Sequence, residues 1–234
     1  MQIAVLVTNT DRSDFAALHP RDGEKFRALL QGVRPGWQVT GFDLTLGEFP
    51  VTLAGFDGVV IGGSPASVHD QEPWIDRLDR LIRQIVAAGT PLFGACFGHQ
   101  AIALALGGTV AENPGGWVLG VTTTRITARA PWMTGVATTL RMNAAHSEQV
   151  THLPPGAEVL SGNDDCPHGI YRIGTTVFAT QYHPEMTDGF MAALVEEFGP
   201  DLPPEIHAKA STSLAPAADT ALFAAWIARF FDGA

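Results

Sequence analysis

Two stretches of the sequence carry residue types able to do covalent chemistry, and a third can shape the backbone around them. The first is GACFGHQ, residues 94–100, where Cys96 stands between Gly94 and Gly98. An apolar, strand-like run (TPLF) precedes it and a helix-prone run (AIALALGG) follows. A strand that ends in G-x-C-x-G and turns directly into a helix has the form of a nucleophile elbow, whose tightness requires small residues two before and two after the nucleophile. A thiol there sits at a helix N-terminus, where free N–H groups and the helix dipole favour thiolate. The N–H of Phe97 is then free to bond an oxyanion. A cysteine taken alone is more often a core thiol, so the reading depends on partners elsewhere in the chain.

The second stretch is QYHPE. His183 follows the strand-like TTVFATQ, Pro184 stops the strand, and Glu185 is close enough in chain to accept a hydrogen bond from the imidazole. The third is IGGSPASV, residues 61–68, a buried-strand run ending in Gly62 and Gly63, where backbone N–H groups can face a ligand without interference from a Cβ. Of the other histidines, His19 and His69 fall in polar, loop-like sequence. His168 shares a Gly/Pro-rich loop with Cys166, but no second pair of ligands has the spacing of a zinc site.

The elements that must position these residues follow from periodicity. Buried-strand runs at Ile3–Val7 and Gly58–Ile61 predict strands covered on both faces, Thr90–Ala95 reads as a further strand, and Trp37–Leu44 alternates well enough for another. Helical spacing marks Asp22–Leu30 and, most clearly, Trp74–Ala88, with Gln100–Leu106 a short apolar helix. Strands alternating with helices in this order predict a parallel sheet covered on both faces. Beyond residue 117 the pattern changes. Val118–Ile126, Thr138–Met142, Ala157–Ser161 and Thr176–Gln181 read as strands with short connections, an antiparallel or mixed continuation of the sheet. A Pro/Ala/Ser-rich segment over 199–216 leads to an amphipathic helix at Asp219–Phe231, expected to pack on the domain itself. No internal repeat is visible. The expectation is one domain over 1–234, with a core at about 1–195 and a C-terminal helical extension at about 200–234.

Composition limits the function. Hydrophobic residues make up 46% of the 234 and charged residues 16%, enough for a sizeable core and too apolar for disorder. A formal net charge of −10 argues against nucleic acid or an anionic membrane surface as partner. Two cysteines form no disulfide framework, and the N-terminus reads as a first strand rather than a signal peptide, so a cytoplasmic location is expected.

Taken together, GGSP at 62–65, GACFGHQ at 94–100 and HPE at 183–185 resemble the class I (triad) glutamine amidotransferase domain, in that order and at about the family's separations. The resemblance covers roughly residues 1–195. It implies a three-layer α/β/α sandwich of flavodoxin-like type with a mostly parallel central sheet. By matching position it makes Cys96 the nucleophile, His183 the general base and then acid, and Glu185 the group that orients His183. Gly63 and Phe97 would supply the oxyanion N–H groups. Gly62, Gln100, His146 and Ser147 would face the substrate, Gln100 at its amino-acid end. The implied substrate is glutamine or a γ-glutamyl compound, hydrolysed through a thioester without metal or organic cofactor. The chain after His183 has no phosphate-binding motif of the G-x-x-x-x-G-K-[ST] kind, so a synthetase or acceptor subunit, if used, would be a separate chain. Free-standing members described as GMP-synthase-like resemble this chain best. Alternatives are a stand-alone γ-glutamyl peptidase or hydrolase on the same triad, a cysteine hydrolase of the DJ-1/PfpI type, which usually lacks H-P-E, and a non-catalytic regulatory member.

Overall fold

A computed structural model describes residues 1–233. The strands are β1 (Gln2–Val7), β2 (Gln38–Asp43), β3 (Gly58–Ile61), β4 (Leu92–Ala95), β5 (Thr109–Glu112), β6 (Val118–Ile126), β7 (Thr139–His146), β8 (Glu148–His152), β9 (Ala157–Gly162), β10 (Ile170–Ile173) and β11 (Val177–Thr180). The helices are α1 (Asp14–Ala17), α2 (Asp22–Val33), α3 (Pro73–Ala87), α4 (Phe97–Ala105), α5 (Asp188–Phe198), α6 (Pro204–Ser213) and α7 (Thr220–Phe231). Nine strands form one sheet in the order β2-β1-β3-β4-β11-β10-β9-β6-β7. The pairings β1–β2, β1–β3, β3–β4 and β4–β11 are parallel, and the pairings from β11 through to β7 are antiparallel. The expected change of pattern past residue 117 is therefore a change of strand direction within one sheet. β5 and β8 form a separate two-stranded ribbon.

Period-two alternation splits the parallel strands between two cores. Ile3, Val5 and Val7 of β1 face α2 and α7, in a cluster with Phe26, Leu30, Phe223, Trp226 and Phe230. Ala4 and Leu6 face the opposite way, in a cluster with Leu78 and Ile82 of α3 and Ile102 of α4. Because both faces are covered, every residue of β3 and β4 is buried, which is why these strands read as unbroken apolar runs. α7 is buried along Phe223, Trp226, Ile227, Phe230 and Phe231 and stacks Phe223 on Phe178 of β11, so its apolar face is spent on the sheet. A third, smaller cluster joins α5 and α6 to β6 through Met191, Val195, Ala210 and Leu119. Among the described residues no helix is long and apolar enough to cross a membrane.

The structure extends several expectations. α4 begins at Phe97, three residues before the expected start, because the helix takes Cys96 as its N-cap. β7 runs to His146 rather than Met142. The segment over 199–216 contains a full helix, α6, where a single turn was expected at EIHAKA. β5, β8, β10 and α5 have no counterpart in the sequence reading.

Candidate active site

In a sheet of this order, parallel strands end in crevices where ligands bind. Here β1, β3 and β4 end together, and β11 ends beside them, bringing Thr8, Gly62, Gly63, Cys96 and the 181–185 turn to one place. The elbow is enforced by packing. Cys96 has φ 48° and ψ −103°, the only non-glycine residue with positive φ among those described. A Cβ on Gly94 would stand 2.7 Å from the backbone of Gly98, and one on Gly98 would stand 2.9 Å from the Ile61 carbonyl carbon, so neither site admits a larger residue. The Gly98 N–H donates to Gly62 O at 3.0 Å, fastening the start of α4 to the end of β3. Thr8 Oγ1 donates to Gly62 O and Gly63 O, at 3.1 and 3.0 Å.

Gly63 shows how close the parts are. A Cβ there would lie 2.8 Å from His183 Cε1 and 3.6 Å from Cys96 Cβ. Thus the glycine backbone, the thiol and the imidazole, 33 and 87 residues apart along the chain, occupy one small volume. His183 Nδ1 pairs with Glu185 Oε1 at 2.7 Å, both residues being buried. His183 Nε2 is buried and has no hydrogen-bond partner among the described residues. The turn itself is clamped to β7: His183 N–H donates to Asn143 O, and Asn143 Nδ2 donates to Met186 O, each at 2.8 Å. Burial opposes a positive charge on His183, but the negative charge of Cys96 and Glu185, with the Glu185 hydrogen bond to the ring, outweighs it and holds the imidazole well above its ordinary value.

Gly62 does not face the cavity. Its N–H donates to Leu6 O (3.2 Å) and its carbonyl accepts from Gly98 and Thr8, so its peptide is committed to the sheet. The N–H groups of Gly63 and Phe97 have no partner among the described residues, while the Phe97 ring is buried against Trp74 at 5.5 Å. Gln100 lines the cavity; its Nε2 donates to Glu148 O (2.8 Å) and to Gln181 Oε1 (3.2 Å). His146 also lines the cavity. It is buried, its Nδ1 meets Glu148 O at 3.0 Å, and burial lowers its pKa to about 4, so the ring is neutral and donates from Nδ1. Ser147 lies beside it on the cavity wall.

Two residues at the site are absent from the sequence reading, one buried behind the thiol and one on the cavity wall. Gln181 is fully buried and its Nε2 lies 3.6 Å from Cys96 Sγ, so it links the thiol to Gln100. Its position two residues before His183 on an extended chain was the available signal, since period two places both on one face. Glu148 accepts from Ser67 Oγ at 2.9 Å through one carboxylate oxygen, and none of the ion pairs among the described residues involves it. It is a half-buried, unneutralised carboxylate on the cavity wall. The cavity measures about 980 Å³ and extends from Cys96 to the aromatic side chains of α1 and α5. Among the described residues no cluster of three or more His, Cys, Asp or Glu is arranged to hold a metal.

The fold is an α/β sheet protein whose parallel strands end at a cysteine elbow. Within it, residues 36–198 match the family model of glutamine amidotransferase class-I, and the chain belongs to that family. It is 32% identical over 143 residues to the glutamine-hydrolyzing GMP synthase of Porphyromonas gingivalis, covering 59% of this chain and 27% of that one. It is 29% identical over 160 residues to gamma-glutamyl-L-1-hydroxyisopropylamide hydrolase of a Pseudomonas species (62% and 52% covered). It is 28% identical over 158 residues to gamma-glutamyl peptidase 3 of Arabidopsis thaliana (64% of each). The matched stretches thus span between 27% and 64% of these curated relatives. The fold is that of a glutamine amidotransferase crystal structure from Thermotoga maritima, with a TM-score of 0.81, 16% identity and coverage of 99% and 98%.

Proposed function

We propose that residues 1–234 act as one amidase unit that hydrolyses the γ-carboxamide of glutamine or a related γ-glutamyl amide through a thioester on Cys96. The observation that carries this reading is the convergence of Gly63, Cys96 and His183 on one volume, with His183 held by Glu185. The family and its hydrolase relatives support an amidohydrolase.

In this reading Cys96 and His183 rest as a thiolate–imidazolium pair, stabilised by Glu185 behind the ring. The thiolate adds to the γ-carbonyl carbon, forming an S–C bond, and the charge that develops on oxygen falls to the N–H groups of Gly63 and Phe97. His183 Nε2 gives its proton to the departing nitrogen as the C–N bond breaks. The neutral imidazole then takes a proton from water, whose oxygen adds to the thioester, and glutamate leaves as the Cys96 sulfur is released. At the amino-acid end, the Gln100 amide and Ser147 meet the α-carboxylate and α-ammonium groups, and the free Glu148 carboxylate meets the ammonium. Ammonia goes to solution or to a synthetase on a separate chain. The latter case predicts weak ammonia release until the partner is added.

Incubation with 6-diazo-5-oxo-norleucine should add the inhibitor's mass less the dinitrogen it expels to the Cys96 peptide, and Cys96→Ala should abolish the adduct. An adduct on Cys166, or none on the active protein, overturns the assignment.

A further inference from the structure

The cavity around Cys96 has two chemically distinct ends, and only one of them is needed by glutamine. On one side of the thiol lie Gln100, Ser147 and Glu148, the last held by Ser67. These polar groups suit an α-amino acid. Elsewhere the wall is mainly aromatic and aliphatic: Phe15 of α1, and Phe190, Leu194 and Phe198 of α5, with His19 between them and Lys25 Nζ 3.8 Å over the Phe190 ring, where Asp22 neutralises it. Phe15 lies 5.9 Å from Phe190 and 5.6 Å from Phe198, centroid to centroid, and His19 stands edge-on to Phe190 at 4.9 Å. At about 980 Å³ the space has the size of a site for a drug-sized ligand, far more than glutamine fills.

Connectivity fixes which end receives the leaving group. α5 starts five residues after His183, and Met186 at its approach is hydrogen-bonded to the His183–Asn143 clamp, so the apolar wall grows out of the turn that carries the acid. The nitrogen that departs must face His183 to receive its proton. With the amino-acid end anchored at Gln100 and Glu148, any substituent on that nitrogen points toward α5. Charge narrows the choice further. Seven carboxylates line the cavity against three cations, and those cations are occupied: Arg12 and Arg21 both by Asp43, at 3.1 and 3.4 Å, and Lys25 by Asp22 at 3.0 Å. An amine carrying its own carboxylate would find no free cation there.

From this geometry we infer that the enzyme's substrates are γ-glutamyl amides of bulky, uncharged apolar amines, the amine portion resting against Phe15, Phe190 and Leu194. The inference rests on the amidase reading above. The reaction balances as amide plus water giving glutamate plus the free amine: the C–N bond breaks, the nitrogen takes its proton from His183, and the water oxygen ends on the glutamate γ-carboxylate.

The test compares kcat/KM for γ-L-glutamylbenzylamide, γ-L-glutamylglycine and L-glutamine on the full chain, with Phe190→Ala and Leu194→Trp as variants. The first variant removes the wall; the second fills the space without deleting packing. The benzylamide should exceed each of the other two at least tenfold, and each variant should lower the benzylamide-to-glutamine ratio at least fivefold. Preference for glutamine or the anionic glycine conjugate, or a ratio unmoved by both variants, overturns the inference while leaving the amidase reading standing. Turnover of none of the three, with Cys96 unlabelled by the diazo-ketone, overturns both.

Discussion

The two cysteines of this chain are both buried, at 4% and 2% exposure, yet their surroundings differ in kind. Cys96 sits at the mouth of a parallel sheet, in a backbone conformation that non-glycine residues rarely adopt, beside an imidazole whose proton its charge retains. Cys166 sits in the antiparallel half, in a loop where its N–H bonds Asn163 Oδ1 at 2.7 Å, and burial pushes its thiol up to about 12. Exposure therefore does not separate the two thiols. The neighbouring charges and the backbone do.

That contrast can be broken most directly by deletion. Cys96→Ala should lower the rate of γ-glutamyl hydrolysis by about 10⁴-fold or more, since no other group can carry the acyl intermediate. Cys166→Ala should leave kcat within about threefold of the parent; a comparable loss there would abolish the distinction. Alkylation sharpens it next. With its folded-state pKa raised to about 12, Cys166 stays a neutral thiol throughout pH 6–10, so mass spectrometry after iodoacetamide should find Cys96 modified at least 100-fold faster across that range. The smallest effect is the most specific. Glycine at 96 relieves a backbone strain that alanine keeps, so Cys96→Gly should be more stable than Cys96→Ala by about 1 kcal/mol in urea unfolding. At 166 the order should reverse, because only the entropic cost of glycine remains. The same order at both positions would deny the elbow its strain.

How much of this was visible in the sequence follows the same division. The parallel half was legible because burial on both faces turns β1 and β3 into β-branched runs and β4 into an apolar one, and because α3 has a wide apolar stripe. The antiparallel half was less so. β8 is EQVTH and β10 is IYRI, both too short and mixed to stand out from the loops around them. α5 carries regular helix signals, with Thr187 capping Phe190 N–H and Met191 and Val195 facing inward, but it goes unread behind the Pro184 turn. Cys96, His183 and Glu185, the proposed nucleophile, base and orienting residue, stood out from local spacing. Gln181 and Glu148 did not, since their significance lies in contacts to residues 85 and 81 positions away. Gly62 shows the opposite error: the Gly-Gly pair was recognised, but only hydrogen-bond accounting separates the glycine that faces the cavity from the one that bonds the sheet.

The place of β11 has a consequence for how the molecule is made. This strand lies in the middle of the sheet, parallel to β4 on one side and antiparallel to β10 on the other, yet it comes last in sequence among the strands of the described residues. While the polypeptide is being synthesised, β4 has no neighbour on that side until residues 177–180 have emerged. For that interval the nascent protein presents an apolar strand edge, the kind of surface that recruits chaperones or a second chain. The same strand leads into His183, so sealing the sheet and assembling the proposed site are one event.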